Sequence, residues 1–140
     1  PTLTGTPTAP TAAAGTDTTQ IATTAFVRDE ITASLFRSAN QTANGGGTTT
    51  IPHGLGAVPD LVVIELECKT QEQGYLVGDI IQWETGGQNS GVSVIKDATN
   101  LVVRYAPSGS SPWIYLDGAT GAVCTLAEAR WAARFVAVKF

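Results

Sequence analysis

From Ile51 to Phe140 the sequence is a succession of short apolar runs cut by turn-rich stretches, and few folds tolerate that pattern. "LVVIELEC", Leu61 to Cys68, puts Val62, Ile64, Leu66 and Cys68 on one face of a strand, while its other face ends in Glu65 and Glu67. Further strands are expected at Tyr75 to Trp83, Gly91 to Lys96, Leu101 to Ala106, Trp113 to Leu116, Ala122 to Leu126 and Arg130 to Phe140. Between them lie "HGLGAVPD", "ETGGQNSG", "KDATN", "APSGSSP" and "DGATG". Several short strands at near-regular spacing predict an antiparallel β-sandwich or barrel. In the last run Trp131, Ala133, Phe135 and Ala137 alternate with Arg130, Ala132, Arg134, Val136 and Val138, and the second face turns apolar near its end. That predicts a central or interface-buried strand.

The 50 residues before this block read differently. Residues 1–16 form a Thr/Pro-rich ribbon, and ten of the first 24 residues are threonine. Pro7 and Pro10 lack backbone donors and exclude helix or central strand, so the ribbon is expected to be extended, with a turn at Ala12 to Gly15. Alone it buries too little to offset its chain entropy and must lie against something else to be ordered. Residues 17–39 predict a helix, with Asp17 as N-cap and Gln20 in the capping-box position. Thr24, Val27, Ile31, Ser34 and Ser38 follow 3-4-3-4 spacing, and Leu35 widens the stripe. So narrow a seam suits packing against copies of the same helix, with Val27, Ile31 and Leu35 as its apolar residues. Packing on the chain's own domain is the alternative. Residues 40–50, "NQTANGGGTTT", predict a Gly-rich linker, and residues 51–140 the β-domain.

Composition excludes several functions. Charged residues make up 14% of the chain, against about 25% in an ordinary soluble domain. The formal net charge is −4, and no Lys/Arg cluster tracks a phosphate backbone, which argues against nucleic acid. No run of about 18 apolar residues is present, so no membrane-inserting helix is expected. Pro1 in place of an initiating Met, and the lack of any Met, lead us to expect a piece of a longer chain. Cys68 and Cys124 sit in strand-like runs, as two buried small hydrophobes or as one bridge.

No catalytic constellation stands out. The one histidine, His53, precedes a glycine turn and is expected to bond nearby backbone. The functional alternative is that symmetry copies meet around a metal on a trimer axis. No GxSxG elbow, phosphate loop or CxxC occurs. Glu65 and Glu67 share a strand face, as a solvated pair or as an acid/base pair for glycan hydrolysis. We expect no cofactor and no enzymatic activity. Sugar recognition uses aromatic faces flanked by amides and carboxylates. Trp113 and Tyr115, followed by Asp117, fit that chemistry between two Gly/Ser loops, and Trp83 with Gln88 and Asn89 is a second candidate. Core or interface packing is the competing reading for each aromatic.

"GTPTAPTAAAGTDTTQIATTAFV", Gly5 to Val27, resembles a motif repeated in bacteriophage tail fibres and the related tailocin fibres, which usually carry Asn where this chain has Asp17. "IPHGLGAVPDLVVIELECKTQEQGYLVGD" and "GVSVIKDATNLVVRY" resemble C-terminal domains of phage fibre proteins more loosely. The resemblance implies a homotrimer in the virion, with a receptor-binding tip that adsorbs to a bacterial surface glycan or outer-surface protein. Its other neighbours would be virion tail proteins. In that arrangement the helix is a short three-chain bundle, and the ribbon is ordered by its copies.

Overall fold

In a computed structural model the described residues are 5, 8–18, 21–43, 45–83, 91–107 and 113–140. The chain is mostly β, with one α-helix among the described residues, α1 (Thr24–Ala33). Four strands form one antiparallel sheet in the order β1 (Leu35–Arg37), β9 (Trp131–Val138), β3 (Leu61–Cys68), β4 (Ile80–Trp83). A second antiparallel sheet has the order β2 (Thr48–Pro52), β6 (Asn100–Tyr105), β5 (Val92–Lys96), and β7 (Ile114–Leu116) with β8 (Val123–Thr125) makes a hairpin. Leu66, Phe135 and Ala137 from the first sheet join Leu101 and Val103 from the second, with Trp113 and Leu126 beside the hairpin, in one hydrophobic cluster.

The expected alternation holds where it was clearest. Strand β3 has the bounds predicted for it, and Ile64, Leu66 and Cys68 are buried. Strand β9 buries Trp131, Ala133, Phe135 and Ala137 and is flanked by β1 and β3, as a central strand. Among the described residues both cysteines are free, Cys68 buried and Cys124 half-buried. His53 is a buried turn histidine. Its Nδ1 accepts from the Leu55 N–H at 3.1 Å, so Nε2 carries the proton and donates to the Asp97 carbonyl at 3.0 Å.

The N-terminal third differs from expectation. The helix starts at Thr24, not Asp17, and Thr23 caps it, its hydroxyl accepting from the Phe26 N–H at 3.1 Å. Gln20, the expected capping-box partner, lies outside the described residues. The predicted turn is present: the Thr16 N–H and hydroxyl both donate to the Ala13 carbonyl, and Gly15 takes φ +75°. That turn sends the ribbon back along the helix, where the Gly15 N–H meets Glu30 Oε1 at 2.6 Å and the Thr11 and Thr23 hydroxyls lie 3.1 Å apart.

The helix also stops early, at Ala33. Leu35, Phe36 and Arg37 pair instead with Val138, Ala137 and Val136. Phe36 thereby packs against the core, edge-on to His53 at 6.2 Å between ring centroids. Sheet hydrogen bonds and a half-buried aromatic outweigh the continuation of a weak helical period. Leu35 is therefore a strand residue and not part of a helical seam. The predicted linker is integrated as well: Ser38 and Ala43 are buried, and Gln41 exchanges backbone hydrogen bonds with Ala133 at 2.7 and 2.9 Å. The Gly46 N–H donates to the Ala106 carbonyl, and β2 is under way by Thr48. The β-domain thus begins near Leu35.

Tyr75 to Asp79, expected as strand, is a turn segment, and only Ile80–Trp83 pairs with β3. Gly74 (φ +79°) brings this loop against the hairpin turn, where a Cβ would stand 2.5 Å from the Ala119 nitrogen. Only glycine fits there.

Candidate functional site

The two tryptophans expected to stack on a sugar, Trp113 and Trp83, are not where a sugar can reach them. Trp113 is 1% exposed and Trp83 5%. Their rings meet edge to face at 5.5 Å, and Tyr105 packs on Trp113 at 6.1 Å in the same geometry. This is an aromatic core, held by burial and ring-edge contacts. Tyr115 is on the hairpin's inner face and donates its hydroxyl proton to the Gln82 carbonyl at 2.9 Å. The Asp117 carboxylate closes the β7–β8 turn, accepting from the Ala119 and Thr120 N–H groups and the Thr120 hydroxyl. The Thr120 bonds hold its pKa below the usual carboxylate value. Gln88 and Asn89 lie outside the described residues. The structure therefore brings Trp83, Trp113 and Tyr115 together as packing, and gives Asp117 a turn to hold.

Glu65 and Glu67 are locked into an ion-pair ladder on the solvent face of the four-stranded sheet. Arg37 and Arg134 contact Glu65 at 3.2 and 3.7 Å, while Arg134 and Lys69 contact Glu67 at 3.2 and 2.6 Å. The Lys69 hydrogen bond lowers the Glu67 pKa, the reverse of what a general acid needs. Among the described residues no three His, Cys, Asp or Glu side chains gather as metal ligands would.

Two surfaces have the form of binding sites. The first is on α1, in which no residue is buried. Val27 is 47% and Ile31 60% exposed, and they line an open groove with Ala22 and Thr24. Beyond the helix, Leu35, Val138 and Leu61 stand in one row across the outer face of the sheet. The Lys139 N–H ties this end of β9 to the Ser34 carbonyl at the helix terminus. The apolar seam predicted from Val27, Ile31 and Leu35 thus consists of two helical residues followed by a strand residue.

The second surface is a cleft of about 490 Å³ where the two sheets part. Val62, Ile64 and Trp83 line it from the first sheet, and Val94 and Lys96 from the second, with Gln82 beside them. Sequence reading passed over Lys96, although "VSVIK" places it on the same face as Val92 and Val94.

No family model matches the chain, and no curated protein or solved structure is significantly similar to it. No helix among the described residues is long and apolar enough to cross a membrane.

Proposed function

We propose that this chain is the C-terminal part of a bacteriophage or phage-derived tail fibre: a non-enzymatic homotrimer in the virion whose β-sandwich tips bind a bacterial surface glycan or outer-surface protein. The observation that carries the reading is α1. A ten-residue helix is too short to persist in water on its own, and this one buries no residue in its own chain. Its exposed Val27 and Ile31 call for a partner, and three copies around an axis supply one. Packed in that way, the helices also support the Thr-rich ribbon that folds back along each of them. The two sheets and their shared core suit a sandwich at the end of such a stalk. Three weakly binding tips on one fibre gain affinity by avidity, so no single site has to be tight.

A second reading, a structural segment that docks another virion protein, is favoured by a different observation. Leu76 and Val77 in the loop, and Leu116 and Val123 on the hairpin, are all exposed apolar residues. The Tyr75 hydroxyl bonds the Leu116 carbonyl at 2.6 Å, so loop and hairpin lie side by side at the end of β3 away from the helix.

Light scattering tests the assembly. The expected mass is three times 14.5 kDa, falling to one chain when residues 1–33 are removed or when Ile31→Glu is introduced. A monomer at full length would overturn the fibre reading. A trimer that survives both changes would move the interface into the β-domain. Adsorption of the intact trimer to bacterial cells separates receptor binding from the structural reading, which expects none.

A further inference from the structure

We infer that the outer face of the four-stranded sheet, at its end next to α1, is covered by a second copy of this chain, so that the β-domains pack on one another instead of hanging free from the helices. The inference rests on the homotrimer reading and assigns the part of its interface that the helices leave unfilled.

This sheet face is divided. Away from the helix it carries Glu65, Glu67 and Arg134 in the ion-pair ladder, as a face in water should. Toward the helix it turns apolar. The register sets Leu35, Val138 and Leu61 side by side, with Val136 and Val63 in the next row. Their inward neighbours Ala137 and Ile64 are buried in the core, so both strands are apolar on both faces at this end. That is the pattern of strands covered from two sides, yet Leu35 is 48% and Leu61 47% exposed in the single chain. Arg37 is the one charged residue in these two rows, and it is paired to Glu65 at 3.2 Å. The apolar half therefore presents no lone charge to an ionic ligand.

Position and size name the occupant. One residue, Ser34, separates α1 from β1, and its carbonyl accepts from the Lys139 N–H at 3.0 Å. Helix and sheet are thus joined without a flexible segment, and copies gathered on Val27 and Ile31 bring this face with them. The helix by itself presents too little. Ten residues make a rod about 15 Å long and about 10 Å across, a projected face on the order of 150 Å², against roughly 800 Å² per partner in a stable interface. The sheet rows continue the same apolar surface and make up the difference. Phe140, 89% exposed, extends them: its N–H is held by the Asp60 carboxylate at 2.7 Å, next to Leu61. In a three-fold ring each chain meets the next through two different surfaces, so the row needs no copy of itself opposite.

The test is thiol labelling of Leu61→Cys in the full chain with iodoacetamide, with mass spectrometry locating the label and light scattering giving the mass of the same sample. Val123→Cys on the hairpin, where the native residue is 75% exposed, is the control. Each rate is compared with that of the same chain in denaturant. The expected result is a trimer in which Leu61→Cys labels at least about tenfold slower than in denaturant, while Val123→Cys stays within a few-fold. Leu61→Glu should raise the concentration at which the three chains separate about tenfold to a hundredfold, with an unchanged circular-dichroism spectrum, and Leu61→Met should leave it near the parent's. A trimer in which Leu61→Cys labels as readily as Val123→Cys would overturn the inference, leave the helices as the whole assembly device, and free this face for a different protein. Undiminished assembly of folded Leu61→Glu would overturn it too. A monomer at full length would bring down the homotrimer reading itself, and this inference with it.

Discussion

Replacing Trp113 by alanine separates its two sequence-level roles. As a sugar platform it would be dispensable for folding; as found, it is the hub of the aromatic core, 1% exposed, with Trp83 and Tyr105 edge-on to it. Removing a buried tryptophan costs about 3–5 kcal/mol, through lost transfer free energy and the cavity left behind. Each ring-edge contact adds about 0.5–1.5 kcal/mol beyond the area term, and the two overlap with the cavity cost too much to add in full. We therefore expect a loss of about 4–6 kcal/mol, a large share of the roughly 5–15 kcal/mol of an ordinary domain. The assay is urea unfolding followed by far-ultraviolet circular dichroism, with both proteins at one concentration because assembly shifts apparent stability. A collapsed midpoint, or failure to accumulate folded protein, is the expected result. An unfolding free energy within about 0.5 kcal/mol of the parent's, combined with lost glycan binding, would refute the core assignment and return Trp113 to the surface.

Further outcomes follow from single groups. His53→Leu strands the Leu55 N–H and the Asp97 carbonyl in a buried turn and should cost about 1–3 kcal/mol, measured by the same unfolding assay. Asp97 has its pKa lowered chiefly by the Thr99 N–H, then by the Asn100 N–H and Thr99 hydroxyl. A lowered folded-state pKa means its contribution is fully present above the unfolded carboxylate value, near 4, and is lost as pH falls through the folded value. Asp97→Ala should accordingly lower stability at neutral pH and flatten its decline in acid, as read from melting temperature between about pH 2 and pH 6. Cys68 and Cys124 have thiol pKa values raised by burial. A thiol reagent at neutral pH should label the native protein slowly, Cys68 slower than Cys124, and both quickly in denaturant.

The β-domain was legible in the sequence because its strands alternate. Leu61–Cys68 and Trp131–Val138 are apolar throughout one face, with Glu65, Glu67 and Arg134 interrupting the other, and a sheet with one face in a core imposes that period of two directly. Leu35–Arg37 and Thr48–Pro52 were missed for the converse reason. Three residues are too few to display a period, and "TTTIP" after three glycines reads as linker until β6 lies beside it. The helix boundary failed on competition. Val27 and Ile31 continue into Leu35 at helical spacing, and nothing local announces that Phe36 has a place in the core. Lys96 was visible by its alternation with Val92 and Val94. The cleft it borders was not, because its walls come from strands about 30 residues apart in sequence.

By itself the sequence determined the β-rich character of the chain, the inward faces of its long strands, the turn at Gly15 and the weakly amphipathic helix. Each depends on local stereochemistry and on the period at which apolar residues recur. Tertiary structure alone decided that Trp83 and Trp113 turn inward, that Leu35 leaves the helix for a sheet edge, and that Lys96 and Trp83 share one cleft. Those outcomes depend on which distant surfaces meet, and a side chain between core and solvent goes where partners from remote strands leave room for it.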